Sequence, residues 1–258
     1  MPKFSANISF LYADLPFLDR FAAAAKDGFQ AVEYVGPYDL PAAEVAAALN
    51  THGLTQALFN LPAGNWDAGE RGIGCHGDRV AEFQAGVMTA IRYGQALGCT
   101  RINCLAGIAQ AGTSVEDRDA ILIDNLKYAA PRLADAGITL LLEPINLRDI
   151  AGFHVSTTDH AERLLDAVGS DNLLIQYDIY HTQVMQGDLI PTYARLKDRI
   201  GHVQIADNPG RHEPGTGEIN YPFVFSELDR LGYDGWIGCE YKPRSGTTVG
   251  LGWMKPYL

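Results

Sequence analysis

RINCLAGIAQAGTSVEDRDAILIDNLKYAAPRLADAGITLLLEPIN (101–146) is the stretch on which the fold turns. RINCLAG (101–107) is a short β-rich run, and 115–136 has the apolar spacing of an amphipathic helix. Gly137 follows, the residue that ends helices by taking the left-handed conformation without penalty. ITLLLEPIN (138–146) is the next β-rich run. Strand, helix and strand in that order make a parallel βαβ unit. Working outward, the phrase recurs. Strands are expected at 4–11, 31–35, 54–61, 172–180, 202–208 and 235–242. Helices are expected at about 15–27, 42–51, 78–97, 158–168, 189–199 and 220–231, several of them closed by glycine (Gly28, Gly53, Gly98). Eight units in 258 residues is about 32 per unit, the size of a compact α/β (β/α)8 TIM barrel. A doubly wound open sheet would carry a Gly-rich turn after its first strand, and SANISFLYAD (5–14) has no glycine. No linker interrupts the pattern, so residues 1–258 read as a single domain.

Composition narrows the function. With 47% apolar and 20% charged residues the chain is an ordinary globular protein. The net charge of −11, from 20 Lys+Arg against 31 Asp+Glu, argues against a nucleic-acid partner, which needs a basic footprint. No run of 18 apolar residues is present, so no membrane span is expected. MPKFSANISFLYADLPF (1–17) lacks the features of a signal peptide. Cys75, Cys99, Cys104 and Cys239 form no C-x-x-C, and they read as reduced, buried thiols of a cytoplasmic protein.

Alternation along the first strand puts Phe4, Ala6, Ile8 and Phe10 on one face and Ser5, Asn7 and Ser9 on the other. The apolar face should meet the helices, leaving the polar one inside the barrel. Four oxygen-bearing side chains then stand at the ends of the last four strands: Glu143, Asp178, Gln204 and Glu240, spaced 35, 26 and 36 residues apart. Each gap is about one βα unit, so in a barrel the four converge at the carboxyl-terminal mouth, where such folds carry their chemistry. Any one alone would read as a helix cap or an ion-pair partner. Four together, three of them anionic, repel unless a cation lies between them. Oxygen donors favour a hard divalent metal, Mg²⁺ or Mn²⁺.

NLPAGNWDAGERG (60–72), INCLAG (102–107), EPIN (143–146), QYDIYH (176–181), GHVQIADNPGRHEPGTGEINY (201–221) and GCEYKP (238–243) resemble the hydroxypyruvate isomerase family, across essentially the whole chain. That family includes 2-oxo-tetronate isomerases. It belongs to the xylose-isomerase-like barrels, with the ketose 3-epimerases and the endonuclease IV type of DNA-repair enzyme. The resemblance implies metal ligation by Glu143, Asp178, Gln204 and Glu240, an acid–base pair in Glu143 and Glu240, and contact of His181 with a substrate oxygen. Ketose 3-epimerases have His where this chain has Gln204. The neutral amide oxygen is a harder donor, which favours Mg²⁺ over Mn²⁺.

The implied reaction is an aldose–ketose isomerisation of a small 2-oxo acid through a cis-enediolate, foremost hydroxypyruvate to tartronate semialdehyde. 2-Oxo-tetronate is the alternative substrate and ketose 3-epimerisation a more remote alternative. A DNA-repair endonuclease and a non-catalytic barrel are the rivals from other classes. A 2-oxo acid needs a cation for its carboxylate, and Arg71 on the long loop and Lys242, which shares strand parity with Glu240 at the end of the last strand, are candidates. Asn7, Glu33 and Asn60 are further pocket candidates, Asp149 a substrate contact or ligand orienter, and Trp66 and Phe153 wall residues. His202 reads as a satisfied interior histidine. His52, His76, His160 and His212 read as solvated, and His154 is open. The glycines of GTGEIN (215–220) suit close approach of backbone to a ligand. GLGWMKPYL (250–258) suits either cover for the barrel's flank or a contact within a homo-oligomer.

Overall fold

The computed structural model describes residues 1–257. Among them, eight parallel strands close into a barrel in sequence order, with β1 hydrogen-bonded to both β2 and β8. The strands are β1 Lys3–Asn7, β2 Ala31–Tyr34, β3 Thr55–Asn60, β4 Arg101–Cys104, β5 Thr139–Leu142, β6 Leu173–Asp178, β7 Ile200–Ile205 and β8 Trp236–Cys239. Between them run the helices α1 Asp19–Lys26, α2 Ala42–His52, α3 Val80–Leu97, α4 Val115–Asp135, α5 Thr158–Val168, α6 Ile179–Met185, α7 Leu189–Leu196 and α8 Tyr221–Arg230, with a short α9 Thr247–Gly250 after β8. The expected (β/α)8 architecture is the observed one.

Local chemistry sets the boundaries. Ser114, Thr157 and Asn220 cap α4, α5 and α8 by accepting the amides of Asp117, His160 and Phe223. Gly53, Gly98 and Gly169 close α2, α3 and α5 in the left-handed conformation. Phe4 on β1 points outward onto Phe225 of α8 and onto Trp253, with ring centroids 5.3 and 4.9 Å apart. The terminal Trp253, Met254 and Tyr257 therefore cover the barrel's own flank.

Two expectations need correction. Most strands are shorter than their apolar runs. β1, expected to reach residue 11, ends at Asn7, because the chain turns back with the amides of Phe10 and Leu11 on Asn7 O. The run 172–180 ends at Asp178, because the Asp178 side chain accepts the His181 amide at 3.0 Å and starts α6, a helix absent from the sequence reading. Burial on the outer face of the strands is aliphatic and aromatic. The inner face is polar: Ser5, Glu33, Gln56, Asn103, Gln176, His202 and Gln204 are all buried. Such an interior usually holds branched aliphatics. The four cysteines are free and buried. No helix of the described residues is long and apolar enough to cross a membrane.

Candidate active site

A cavity of about 920 Å³ opens at the carboxyl ends of the strands. Glu143, His181, Arg211 and Glu240 line it, with Asn60, Trp66, Arg71, Asp149 and Lys242. Glu143 and Asp178 are buried to 4% and 1% exposure. A carboxylate oxygen of each lies within 4.8 Å of the other and of a His181 ring nitrogen.

Burial and crowding push these acids up. Glu143 is held well above the ordinary carboxylate range by burial first, then by the charges of Glu240 and Asp178. Burial raises Glu240 to about 8 and Asp178 to about 6 against the pull of Arg211. Asp178 spends one oxygen on capping α6. The other, Oδ2, is buried with no hydrogen-bond partner among the described residues. An orphaned carboxylate oxygen beside two further acids is a donor that a hard divalent ion would satisfy, so the donor set fits a metal.

His181 is not built as a ligand. Asn146 Oδ1 accepts the Asp149 amide, so Asn146 Nδ2 is the atom that donates to His181 Nδ1 at 2.6 Å. That shorter contact outweighs the 3.5 Å approach of Arg211 Nη2 to Nε2 and favours the proton on Nε2, 3.9 Å from Glu143 Oε1 and 3.8 Å from Asp178 Oδ2. Burial, then Arg211 and Arg148, hold the ring well below its ordinary pKa and keep it neutral. A neutral imidazole offering N–H to the cavity can donate to a substrate oxygen.

Glu33 and Asn7 belong to the layer beneath. Glu33 accepts hydrogen bonds from Ser5, Asn7, His202 and Gln204, and lies outside the cavity lining. Burial alone would raise its pKa; His202 and the donors from Gln204 and Ser5 outweigh it and bring it below the usual value. His202 is the satisfied interior histidine that parity suggested. Gln204 is buried beside Gln176, whose Nε2 donates to Gln204 Oε1 at 2.6 Å. Asn60 lines the cavity and accepts from Asn103, which also donates to Glu143 Oε2 at 3.0 Å.

Arg71 lies 3.9 Å over the Trp66 ring and donates to the Trp66 and Glu70 carbonyls. Glu70 pairs with Arg79, not with Arg71. Phe153 is buried behind the wall, bridged to Ile108, and Phe10 takes the wall position. His76 and His160, read as solvated, are held by Ile108 O and by Asp119. The glycines of 215–220 approach the chain's own acid: Asp207 accepts the amides of Asn208, Gly215, Gly217 and Ile219. A Cβ on Gly217 would stand 2.0 Å from Asn208 O.

That loop carries the residue the sequence reading missed. Arg211, in the left-handed region at φ +54°, reaches Glu240 at 3.5 Å and Asp149 at 3.4 Å and lines the cavity. Its only sequence signal is its place inside the RHEPGTGEINY block (211–221).

Asp119, His154 and His160 form a second cluster with donor atoms as close as those of a metal site. Arg118 Nε donates to His154 Nδ1, which puts the ring proton on Nε2. Both Nε2–H groups then donate to Asp119 Oδ1 at 2.8 Å.

Residues 21–257 match the family described as "Xylose isomerase-like TIM barrel", the class that barrel and acid-lined mouth already define. The chain is 52% identical to a hydroxypyruvate isomerase of Escherichia coli (strain K12), over 100% of both chains. It is 48% identical to a 2-oxo-tetronate isomerase of Cupriavidus necator, over 100% of this chain and 99% of that one. A crystal structure from Brucella melitensis, described as an AP endonuclease of family 2, superposes with a TM-score of 0.97 at 44% identity, covering 100% of this chain and 99% of that chain. The chain belongs to the hydroxypyruvate isomerase and 2-oxo-tetronate isomerase family of xylose-isomerase-like barrels. Its activity is that of an isomerase of this type.

Proposed function

We propose that the protein interconverts hydroxypyruvate and tartronate semialdehyde, with Mg²⁺ preferred over Mn²⁺. One observation carries the reading: the buried acids Glu143 and Asp178 and the partly buried Glu240 crowd together at the cavity, and Asp178 Oδ2 has no hydrogen-bond partner among the described residues. A bound hard cation, held by these three and Gln204, would polarise the substrate oxygens and stabilise charge that develops on them.

The chain's own groups do the rest. Glu143 and Glu240 form the acid–base pair: one takes the proton from the carbon acid and the other returns a proton to the adjacent carbon, while the hydroxyl proton passes from one substrate oxygen to the other across the enediolate. Asn103 holds Glu143 Oε2, leaving Oε1 on the side of His181. His181 Nε2–H donates to a substrate oxygen. Arg211, against Glu240, stays at the reacting end, while Arg71 and Lys242 take the substrate carboxylate. Trp66, itself exposed, stacks under Arg71 and holds the guanidinium at that end.

A second reading keeps the chemistry and lengthens the substrate to 2-oxo-tetronate. A cavity of about 920 Å³ is roomy for a three-carbon acid, and the 48% identical relative carries that name. DNA cleavage is disfavoured by the net charge of −11 and by an acidic mouth. The deciding assay follows both acids by NMR in D₂O, with Mg²⁺ or Mn²⁺ returned to chelated protein. Solvent deuterium should enter the product. Turnover of neither acid, or turnover without deuterium, overturns the mechanism.

A further inference from the structure

Gln204 offers the metal an amide, and an amide is ambiguous: one end is an oxygen, the other an NH₂ that repels a cation. A carboxylate ligand needs no such orientation. We infer that Glu33 is a positioning residue that fixes the Gln204 amide so that its oxygen, rather than its NH₂, is available to the ion. The inference rests on the reading of Gln204 as a ligand.

Glu33 is fully buried on β2, and its side chain is spent inside the barrel. Oε2 accepts from Ser5 Oγ at 2.6 Å and His202 Nε2 at 2.8 Å. Oε1 accepts from Asn7 Nδ2 at 3.2 Å and Gln204 Nε2 at 2.7 Å. An ionised carboxylate only accepts, so the end of Gln204 facing Glu33 must be the NH₂. Oε1 is thereby turned the other way, where it accepts from Gln176 Nε2 at 2.6 Å. That oxygen keeps a second lone pair, and β6 pairs with β7 so that Gln204 stands beside Asp178.

The barrel makes room for this arrangement. A Cβ on Gly238 of β8 would stand 2.2 Å from Glu33 Oε1 and 2.4 Å from Oε2, so only glycine admits the carboxylate. The register of β2 against β3 shifts here: Val32 pairs with Gln56 and Glu33 with Leu58, which leaves Ala57 of β3 as the extra residue. Burying a charge is costly unless it is fully paired, and here every partner is a donor from β1 or β7. Partners of metal ligands typically influence affinity by 10–100-fold.

The test is Mn²⁺ binding to the chelated full-length protein, read from the free-ion EPR signal, with thermal melting alongside. Wild type should take up one ion. Glu33→Gln, which no longer dictates the Gln204 orientation, should bind about 10–100-fold more weakly. The swapped double variant Glu33→Gln/Gln204→Glu should recover wild-type affinity or better, because a carboxylate at 204 needs no orienting and an amide at 33 can donate to it. Equal affinity of wild type and a folded Glu33→Gln overturns the inference. So does a double variant that stays as weak as the single one, the pattern of a merely structural role. If Glu33→Gln does not fold, Glu33→Asp withdraws the charge by one methylene and should weaken Mn²⁺ at least 10-fold; unchanged affinity again overturns it. Failure of wild type to bind Mn²⁺ at all is a separate result, which removes the metal reading itself.

Discussion

Two clusters of histidine and carboxylate stand at the same end of the barrel, and they differ in what their atoms have left to give. Around Asp119, His154 and His160, every ring nitrogen that meets the acid is a donor, and Arg118 closes the far side of His154. Around Glu143, Asp178 and Glu240, acids face acids and one oxygen has no partner among the described residues. Residue types and distances alone rank the two alike. Hydrogen-bond accounting separates them: a cluster already satisfied by its own protons gains little from a cation, whereas one of unpaired acids is relieved by it.

The largest test of this contrast is catalytic. Glu143→Gln and Glu240→Gln should each lower kcat by about 10²–10⁴-fold in steady-state assays, whereas Asp119→Ala should leave it within about twofold. Equal losses at both clusters would break the comparison. Metal uptake comes next. Chelated protein should bind one equivalent of Mn²⁺ by calorimetry, and Asp178→Asn should weaken it by about 10²-fold, whereas His154→Gln should not change it. A second equivalent that disappears in the His154 variant would make the outer cluster a metal site after all.

Smaller effects sharpen the picture. Arg71→Ala should raise KM about 10-fold with little change in kcat, since it would act on the unreacting carboxylate. In the metal-free protein the mouth acids have folded-state pKa values above their unfolded ones. Their contribution to stability is therefore complete at low pH and lost as pH rises through about 6 for Asp178 and about 8 for Glu240. Chelated protein should melt several degrees lower at pH 8 than at pH 5, and saturating Mn²⁺ should flatten the dependence. Asp119→Ala should lower Tm by roughly 3–8 °C through the lost hydrogen bonds of two histidines.

Much of this was legible from neighbouring residues. Gly53 and Gly98 close their helices as expected, and the alternation of β1 does send Ser5 and Asn7 inward. The strand-end acids were visible as interruptions of apolar runs. Helix α6 was not, because QYDIYH (176–181) is equally apolar on either side of Asp178 and only the cap breaks the strand. Arg211 was passed over for Arg71 and Lys242 because its reach depends on a loop folded around Asp207.

The amino-acid sequence by itself determined the eight-unit barrel and the acids at its mouth, since period, caps and spacing are local and repeat along the chain. Which nitrogen of His181 carries a proton, which end of Gln204 faces Glu33, and which His–Asp cluster keeps an open valence were decided only by tertiary structure. Each depends on a donor or acceptor brought from a distant strand or loop, and one-dimensional spacing holds no record of that meeting.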